Sequence, residues 1–522
     1  MSEPHTQGPR AGRREWMGMA VLTLPLLLVS MDVSVLYFAV PFISRDLAPT
    51  ATQQLWIFDM YGFALSGLLL TMGALGDRIG RRKLLLIGAT AFGAASVAAA
   101  YAQSAEMLIA VRALLGIGGA TLMPSTLGLV RNMFRDAGQR ATAVAVWSAA
   151  MTGGISLGPV LSGFLLSHFW WGSVFLINLP AMVLLLVLAP LLVPEFKSPA
   201  PGRRFDVLSS LLSFAAVLPA VYGLKRIAAD GFDAPAALAV AAGLVVGALF
   251  VRRQRVAEEP MISPALFRGR GFGASIGINA VAMFAMAGFT VFSMQYLQLV
   301  LGKSPLESAL WCLVPSLAVG GAAPAATALV SRGVDRAYVI GGAFAVATFG
   351  YLFALGAGAG SGIWVILVAS GIVAVGIVTV MTLITDLALD AAPPERSGAA
   401  AALLETGQEF GAALGTAVLG SAGAAYYRHD VTGAVPDGLP AGALASVRET
   451  LGNALVVADG LPARTGEALT AAAREAFTGG MHAAAIGAAV AVGAAAVLAP
   501  LLLRGVRPAR PAEKASAGAG AP

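Results

Sequence analysis

The chain has 522 residues, of which 57% are hydrophobic and only 12% are charged, and its formal net charge is +6. Soluble domains carry about 25% charged residues, so this composition does not fit a soluble globular protein and indicates a polytopic membrane protein. One cysteine, Cys312, excludes an intrachain disulfide and every metal site that needs several cysteines. We expect no metal site, and no cofactor is expected either.

Apolar runs separated by polar, glycine or proline breaks predict fourteen membrane-spanning helices. No cleavage site of small residues follows the first run, so we interpret it as a retained span and not as a signal peptide. The predicted spans are residues 17–41, 53–75, 84–102, 106–131, 140–167, 171–193, 207–228, 234–252, 272–301, 307–330, 337–357, 362–389, 397–427 and 479–503.

The basic residues predict the orientation of these spans. With both termini in the cytoplasm, the cytoplasmic segments hold 25 Lys and Arg residues and the outer segments hold 8. This distribution follows the positive-inside rule. It accounts for most of the positive net charge, so nucleic acid is not an expected partner.

Two pairs of similar segments suggest an internal duplication. GDR at Gly76–Arg78 is echoed by VDR at Val334–Arg336, and GQRATAVAVWSAAMTGG from Gly138 by PERSGAAAALLETGQEF from Pro394, at offsets of 258 and 256 residues. Chance similarity between helices rich in Ala and Gly is the alternative. A duplication predicts two six-helix halves around a midplane site, which is a transporter design.

These observations predict an all-α membrane protein with a division into two halves. Residues 16–195 form the first half, 205–255 two inserted helices, and 270–504 the second half. Within the second half, residues 429–478 form an outer loop whose apolar residues recur at helical spacing. A helical hairpin over the cavity mouth and a simple spacer are both compatible with it. Residues 1–15 and 505–522 are predicted to be cytoplasmic tails.

The stretch GALGDRIGRRKLLLIG, from Gly73 to Gly88, places a dense charge cluster between two apolar spans. A solvated cytoplasmic turn explains the basic residues but not Asp77 or the glycines. Small residues let helices approach closely, and an aspartate among arginines can form charge-assisted hydrogen bonds. Such bonds can lock one conformation and break in another. The residues expected to gate a conformational change are Gly73, Asp77, Arg78, Gly80, Arg81 and Arg82.

Four segments in chain order resemble motifs of the major facilitator superfamily and its drug:proton antiporters. They are GALGDRIGRRK, VSMDVSVLYFAVP (Val29–Pro41), VRALLGIGGA (Val111–Ala120) and GGISLGPVLSG (Gly153–Gly163). With fourteen predicted spans and a long outer loop before the last, the chain resembles the QacA/SmvA/LfrA-like subgroup. The resemblance implies a multi-pass exporter of the bacterial inner membrane, driven by the proton gradient, with lipophilic cationic antimicrobials as substrates. The last of the four segments supplies the span-5 antiporter residues Gly154, Gly158, Pro159 and Gly163.

Ionisable residues inside predicted spans are candidates for proton or cation coupling, because a buried charge in a bilayer is costly. Asp32 in span 1 and Asp59 in span 2 are predicted to lie at similar depths and to share a cavity. Arg112 is the only basic residue deep in a span, and a buried cation needs a partner, for which Asp32 is the candidate. Protonation of Asp32 would break such a pair, although a static structural pair is the alternative.

Glu405 and Glu409 form the second acidic candidate site. They are four residues apart, so they share one face of span 13. Two like charges on adjacent turns disfavour joint ionisation, so at least one carboxyl is expected to exchange protons near the working pH. The alternative is a structural role, with one glutamate hydrogen-bonded to a neighbouring helix. The resemblance to the antiporter subgroup also points to acids in spans 1, 2 and 13.

Aromatic rings near these acids suit a lipophilic cation, although most aromatics in spans pack internally or face lipid. The candidates are Tyr37, Trp56, Tyr61, Phe292 and Tyr296. Taken with these residues, the resemblance implies a proton-coupled multidrug exporter that lies in the lipid bilayer and binds small lipophilic cations and protons, and we expect it to act as a monomer. An exporter of one endogenous metabolite, antibiotic or lipid is the alternative with the same fold. A non-transporting sensor or enzyme would need a soluble domain or a catalytic triad, and the sequence predicts neither, so we do not expect an enzyme.

Overall fold

A computed structural model of the chain describes residues 11–197, 207–230, 233–257, 267, 270–391, 397–434 and 441–504. Across these ranges the secondary structure is helical and contains no β-strand. The predicted all-α class is therefore confirmed. Most of the predicted N-terminal tail and all of the C-terminal tail after Arg504 lie outside the described residues.

The helices of the first part of the chain follow the predicted spans closely. Their bounds are α1 Arg13–Leu47, α2 Ala51–Ile79, α3 Arg81–Ala100, α4 Ala105–Met133, α5 Ala137–His168, α6 Ser173–Leu176, α7 Asn178–Leu192, α8 Val207–Asp230 and α9 Ala234–Val256.

The remaining helices continue the pattern, with a π-helical turn at Tyr296–Val300 and a 3-10 turn at Ala354–Gly356. Their bounds are α10 Arg270–Gln295, α11 Pro305–Trp311, α12 Leu313–Val319, α13 Ala322–Ser331, α14 Arg336–Phe353, α15 Ile363–Ala391, α16 Ser397–Ala434, α17 Ala441–Glu449, α18 Leu451–Asp459 and α19 Ala463–Leu503.

Ten helical segments of the described chain are long and apolar enough to cross a membrane, and eleven if the two parts of α2 form one span. The two parts of α2 meet at an angle of 49° between Leu69 and Thr71. The helices α5, α8 and α16, which carry three of the predicted spans, are not among these ten or eleven. The protein is therefore a multi-span membrane protein, and the count of fourteen stays a prediction.

Three predicted spans differ from the structure in their course. The stretch 171–193 is divided at Ile177 into α6 and α7, which together are long and apolar enough for one span. The stretch 307–330 was expected to be one helix, but it is divided into α11, α12 and α13. Gly320 and Gly321 lie at the second break, where their low helix propensity favours an interruption. The last helix begins at Ala463 and not near residue 479, so the predicted outer loop runs directly into it.

The chain divides into two compact units. The first comprises Met1–Leu218, Met294–Leu313 and Asp430–Arg474, and within it α1 packs against α5 while α2 and α3 pack against α4. The second comprises Pro219–Ser293, Val314–His429 and Glu475–Pro522, and within it α14 packs against α15. Each unit encloses large apolar side chains, such as Phe92 in the first and Phe344 in the second.

Each unit contains a pair of helices that approach through glycines spaced four residues apart. In the first unit, a side chain at Gly154 would collide with Leu27 O of α1, and one at Gly158 would lie 3.2 Å from Met31 O. Larger residues would push α5 away from α1, so the glycines are required by this close approach.

The second unit repeats this arrangement between α10 and α16. A side chain at Gly411 would collide with Ala280 O, and one at Gly415 with Phe284 O. Gly411 and Gly415 follow Gly154 and Gly158 at a spacing of 257 residues, between the two offsets found in the sequence. The matching contacts support the internal duplication.

Candidate functional site

The centre of the candidate site in the first unit is a buried ion pair between α1 and α4. Arg112 Nη1 donates to Asp32 Oδ2, and the two side chains are only 1% and 3% exposed. Asp32 is the partner that the sequence predicts for Arg112. Because both charges are removed from water, loss of either one would leave the other uncompensated.

The α2 helix holds the guanidinium of Arg112 from a second side. Arg112 Nε donates to Ile57 O at 3.0 Å, and Arg112 Cζ lies 4.7 Å from the centroid of the Tyr61 ring. The Tyr61 hydroxyl in turn donates to Val29 O on α1 at 3.1 Å. One arginine thus joins three helices by an ion pair, a hydrogen bond and a cation–π contact.

Asp59 is also buried in the first unit. It lies on α2, two residues after the carbonyl that binds Arg112, and is 9% exposed. Asp32 and Asp59 are therefore buried acids of one unit, on two helices that Arg112 connects.

The second acidic site lies on α16 in the other unit. Glu405 and Glu409 are both half-buried and stand one turn apart, as the sequence predicts. Among the described residues, no hydrogen bond or ion pair reaches the Glu405 carboxylate. This acid therefore differs from Asp32, whose charge is balanced by an arginine.

Asn279 is a polar residue of this region that the sequence reasoning missed. It is fully buried on α10, and its Nδ2 donates to Leu404 O at 3.3 Å. Its Oδ1 has no hydrogen-bond partner in the described part of the chain. The sequence did contain a clue, because Asn279 lies inside the predicted span 272–301. A polar side chain buried in a span needs hydrogen-bond partners.

The predicted gating segment at the α2–α3 junction forms a compact polar network. Asp77 Oδ1 accepts from Arg81 Nε at 2.7 Å and lies 2.6 Å from Arg81 Nη2. Arg81 Nη1 donates to Pro124 O of α4 at 3.1 Å. A side chain at Gly128 would collide with the Arg81 guanidinium, so the glycine makes room for it. Gly80, at φ +111°, has a backbone conformation that favours glycine.

Glu195 fastens the same junction from the segment that follows α7, and sequence reasoning missed it. Its Oε1 accepts from the Arg82 backbone N–H at 3.0 Å and its Oε2 from the Lys83 N–H at 3.1 Å. Arg82 Nη1 donates to Val193 O at 3.0 Å, and Arg81 N–H to Phe196 O at 3.0 Å. A carboxylate at the start of α3 satisfies N–H groups that have no partner within the helix and complements the helix dipole.

Two of the six predicted gating residues stand apart from these hydrogen bonds. Gly73 faces α4, where a Cβ added to the glycine would lie 3.6 Å from Pro124 Cβ. Arg78 is exposed on the last turn of α2. The structure therefore brings together Asp77, Gly80, Arg81 and Arg82.

The span-5 motif residues lie along α5, which is continuous through Pro159. Gly154 and Gly158 face α1, as described above. A side chain at Gly163 would lie 2.7 Å from the Cα of Leu306 at the start of α11. All three contacts lie within the first unit.

The candidate aromatic residues mostly pack against other rings. Tyr61 lies against Arg112, and Tyr296 is fully buried in the π-helical turn. The other ring pairs are Tyr37 on Phe58 with centroids 5.1 Å apart, Trp56 with Phe63 at 6.3 Å, and Phe292 with Phe477 at 5.7 Å.

The predicted outer loop contains the helices α17 and α18, and its role as a hairpin over a cavity mouth or as a spacer stays a prediction. The α18 helix packs against the end of α1, where a Cβ at Gly452 would lie 3.4 Å from Ser44 Cβ. Arg474 Nε, in the first part of α19, donates to Leu299 O at 2.9 Å. These contacts join α18 and the first part of α19 to other segments of the first unit.

Comparison with known proteins gives a family and similar full-length proteins. Residues 22–416 match the model of the Major Facilitator Superfamily. "Multidrug efflux pump LfrA" of Mycolicibacterium smegmatis is 43% identical over 495 residues, which cover 95% of this chain and 97% of that protein. "Methyl viologen resistance protein SmvA" of Salmonella typhimurium is 34% identical over 468 residues, covering 89% and 93%.

A solved structure agrees with the fold. The crystal structure of a bacterial homologue of the human lysosomal transporter Spinster, in an inward-facing and unoccupied conformation, aligns with a TM-score of 0.65. The alignment covers 95% of this chain and 99% of that one, at 17% sequence identity. At that identity the likeness establishes the fold alone.

Proposed function

Since this chain belongs to the major facilitator superfamily, we propose that it is a proton-coupled multidrug exporter that works by alternating access. Its substrates are lipophilic and cationic antimicrobials. The observation that carries the proposal is the combination of near full-length similarity to an efflux pump with buried acids in the first unit and half-buried acids in the second. Membership of a transporter family also disfavours the sensor and enzyme alternatives.

The proposed topology has fourteen spans, arranged as two six-helix halves with α8 and α9 inserted between them. The protein lies in the bacterial inner membrane with both termini in the cytoplasm and acts as a monomer. The excess of basic residues in the segments assigned to the cytoplasm supports this orientation.

In the first half, Asp32 and Arg112 couple proton binding to helix contacts. When Asp32 takes up a proton, its ion pair with Arg112 loses its electrostatic attraction, while the contacts of Arg112 to Ile57 O and Tyr61 persist. The attachment of α1 to α4 thus depends on the proton, and the attachment of α2 to α4 does not. Asp59 supplies a second acid on α2.

In the second half, Glu405 exchanges a proton without breaking an ion pair, because no described cation neutralises it. A carboxylate in this position attracts a cationic substrate, and bound substrate displaces the proton. Glu409, one turn away, disfavours a second negative charge at the same place. The neighbouring amide of Asn279 positions α10 against α16 through Leu404 O.

The junction of α2 and α3 acts as the conformational lock. Asp77, Gly80 and Arg81 hold the end of α2 and the start of α3 against α4 near Pro124, and Arg82 joins α3 to Val193 after α7. The outer helices α17 and α18 limit access to the outer end of α1.

The direct test uses purified protein in liposomes with an imposed pH gradient and follows the movement of ethidium. Gradient-driven movement in the wild type, abolished by collapsing the gradient, is the expected result. A folded wild type that moves no lipophilic cation would contradict a multidrug range and favour an exporter of one endogenous compound.

A further inference from the structure

A cavity of about 420 Å³ opens beside the α2–α3 junction in the first unit. It lies between the end of α4, the start of α5 and the segment after α7. Its charged lining residues are Arg131, Arg135, Arg140 and Glu195. The volume is within the range of about 300–1,000 Å³ that small-molecule sites occupy.

The three arginines around this cavity are exposed to solvent and form no ion pair in the described part of the chain. There, no side-chain hydrogen bond or ion pair joins Arg131, Arg135 or Arg140 to another residue. Glu195, the acid in the lining, already accepts from the N–H groups of Arg82 and Lys83, and its Oε2 lies 3.8 Å from Arg82 Nε. The cavity therefore has an excess of positive charge that a bound anion would balance.

We propose that this cavity binds a phosphate group, supplied by the headgroup of an anionic phospholipid. Planar guanidinium groups match phosphate oxygens in bidentate geometry. Basic pockets between helices on the cytoplasmic side of membrane proteins bind anionic headgroups. The inference relies on the proposed function only for its orientation, which places the cavity at the cytoplasmic leaflet. A free phosphate ester has the same chemistry, so the test separates the two sources.

The location gives the site a consequence for the conformational lock. Glu195 lines the cavity and also fastens the start of α3. A phosphate held by the arginines would lie near this carboxylate, so the bound lipid would alter the electrostatics of the junction. Binding of the lipid in the cavity and locking of the α2–α3 junction are therefore linked through Glu195.

The test measures lipid retention by the full-length protein with native mass spectrometry, after extraction from bilayers with equal amounts of phosphatidylglycerol and phosphatidylcholine. The test variant is Arg135→Gln with Arg140→Gln. The control is Arg252→Gln with Arg255→Gln, which removes the same charge from exposed positions at the end of α9. Arg131 is left intact because it lies in the last turn of α4, where a cation also favours the helix dipole.

The wild type and the control are expected to retain phosphatidylglycerol preferentially. In the test variant the preference for phosphatidylglycerol should fall by about tenfold or more. The reason is that each substitution removes one attractive contact between an arginine and the anionic headgroup. A parallel series measures thermal stabilisation by glycerol phosphate. In another outcome, the wild type shows no lipid preference, while glycerol phosphate stabilises the wild type and the control but not the test variant. That combination would assign the site to a soluble phosphate ester and not to a lipid.

Equal lipid retention in all three proteins would overturn the proposal for a lipid headgroup. Equal stabilisation of all three by glycerol phosphate, or of none, would in addition exclude a soluble phosphate ester at this cavity. None of these readouts requires transport. Failure of the phosphate site is therefore distinguishable from failure of the proposed export function.

Discussion

The two acidic sites differ in how their charge is balanced. In the first unit, Asp32 is paired with Arg112, and the arginine is also held by a carbonyl and a ring of α2. In the second unit, Glu405 has no hydrogen-bond or ion-pair partner among the described residues, although Glu409 stands one turn away. One acid is thus part of the structural framework, and the other is not.

This difference separates structural from transport effects. Removal of the Asp32 charge is expected to affect both folding and transport, since it leaves a buried cation in apolar surroundings. Removal of the Glu405 charge is expected to affect transport alone. Substitutions at the two positions therefore distinguish a framework role from a carrier role.

The largest expected effect is that of Asp32→Asn. Loss of the ion pair should abolish gradient-driven ethidium movement and destabilise the fold by about 3–5 kcal/mol, because Arg112 stays buried without a counter-charge. Thermal unfolding of the purified protein measures the second effect. The double variant Asp32→Asn with Arg112→Gln should recover much of the stability but not the transport. If Asp32→Asn alone were as stable as the wild type, the Asp32–Arg112 ion pair would not stabilise the fold.

The next effect is that of Glu405→Gln. Because no described partner is lost, the unfolding midpoint should stay at or above that of the wild type, while proton-driven transport falls to background. Glu405→Asp keeps the carboxyl and should retain part of the activity. A large drop in the unfolding midpoint of Glu405→Gln would contradict the contrast with Asp32.

The glycine contacts test whether the two units share one packing scheme. Gly158→Ala and Gly415→Ala should each destabilise the protein by about 1–3 kcal/mol through overpacking against α1 and α10. Gly153→Ala is the matched control, because no atom of another segment lies within 4 Å of its added Cβ. Thermal unfolding would argue against a shared scheme if only one of the two variants were destabilised.

The smallest expected effect is that of Glu195→Ala. Loss of its two accepted hydrogen bonds at the start of α3 should cost about 1 kcal/mol, as for the loss of a helix cap. Hydrogen exchange of the Arg82 and Lys83 amides should become faster. Glu195→Gln keeps one amide oxygen as an acceptor and should have an intermediate effect. If hydrogen exchange of these two amides were unchanged in both variants, Glu195 would not contribute to the conformational lock.

The sequence was sufficient for features that depend on one helix or on a missing counter-charge. Apolar runs located the helices, and the cost of a buried cation in an apolar span pointed from Arg112 to Asp32. The spacing of Glu405 and Glu409 placed both on one face of α16.

Contacts between distant segments were not predictable in the same way. The partners of Glu195 are backbone N–H groups more than 100 positions earlier in the chain, and backbone groups carry no residue-specific signal. The division of residues 307–330 into three helices depends on how local glycine and proline preferences compete with membrane insertion. The bend of α2 likewise has no clear marker in an apolar run.

The most direct test of the central claim measures proton release when purified protein binds a lipophilic cation in weakly buffered solution. The wild type should release protons on binding, and Glu405→Gln should release fewer while remaining folded. Glu409→Gln serves as a comparison at the neighbouring acid. Undiminished release from Glu405→Gln would contradict the account, because the proton that the substrate displaces would then come from another carboxyl.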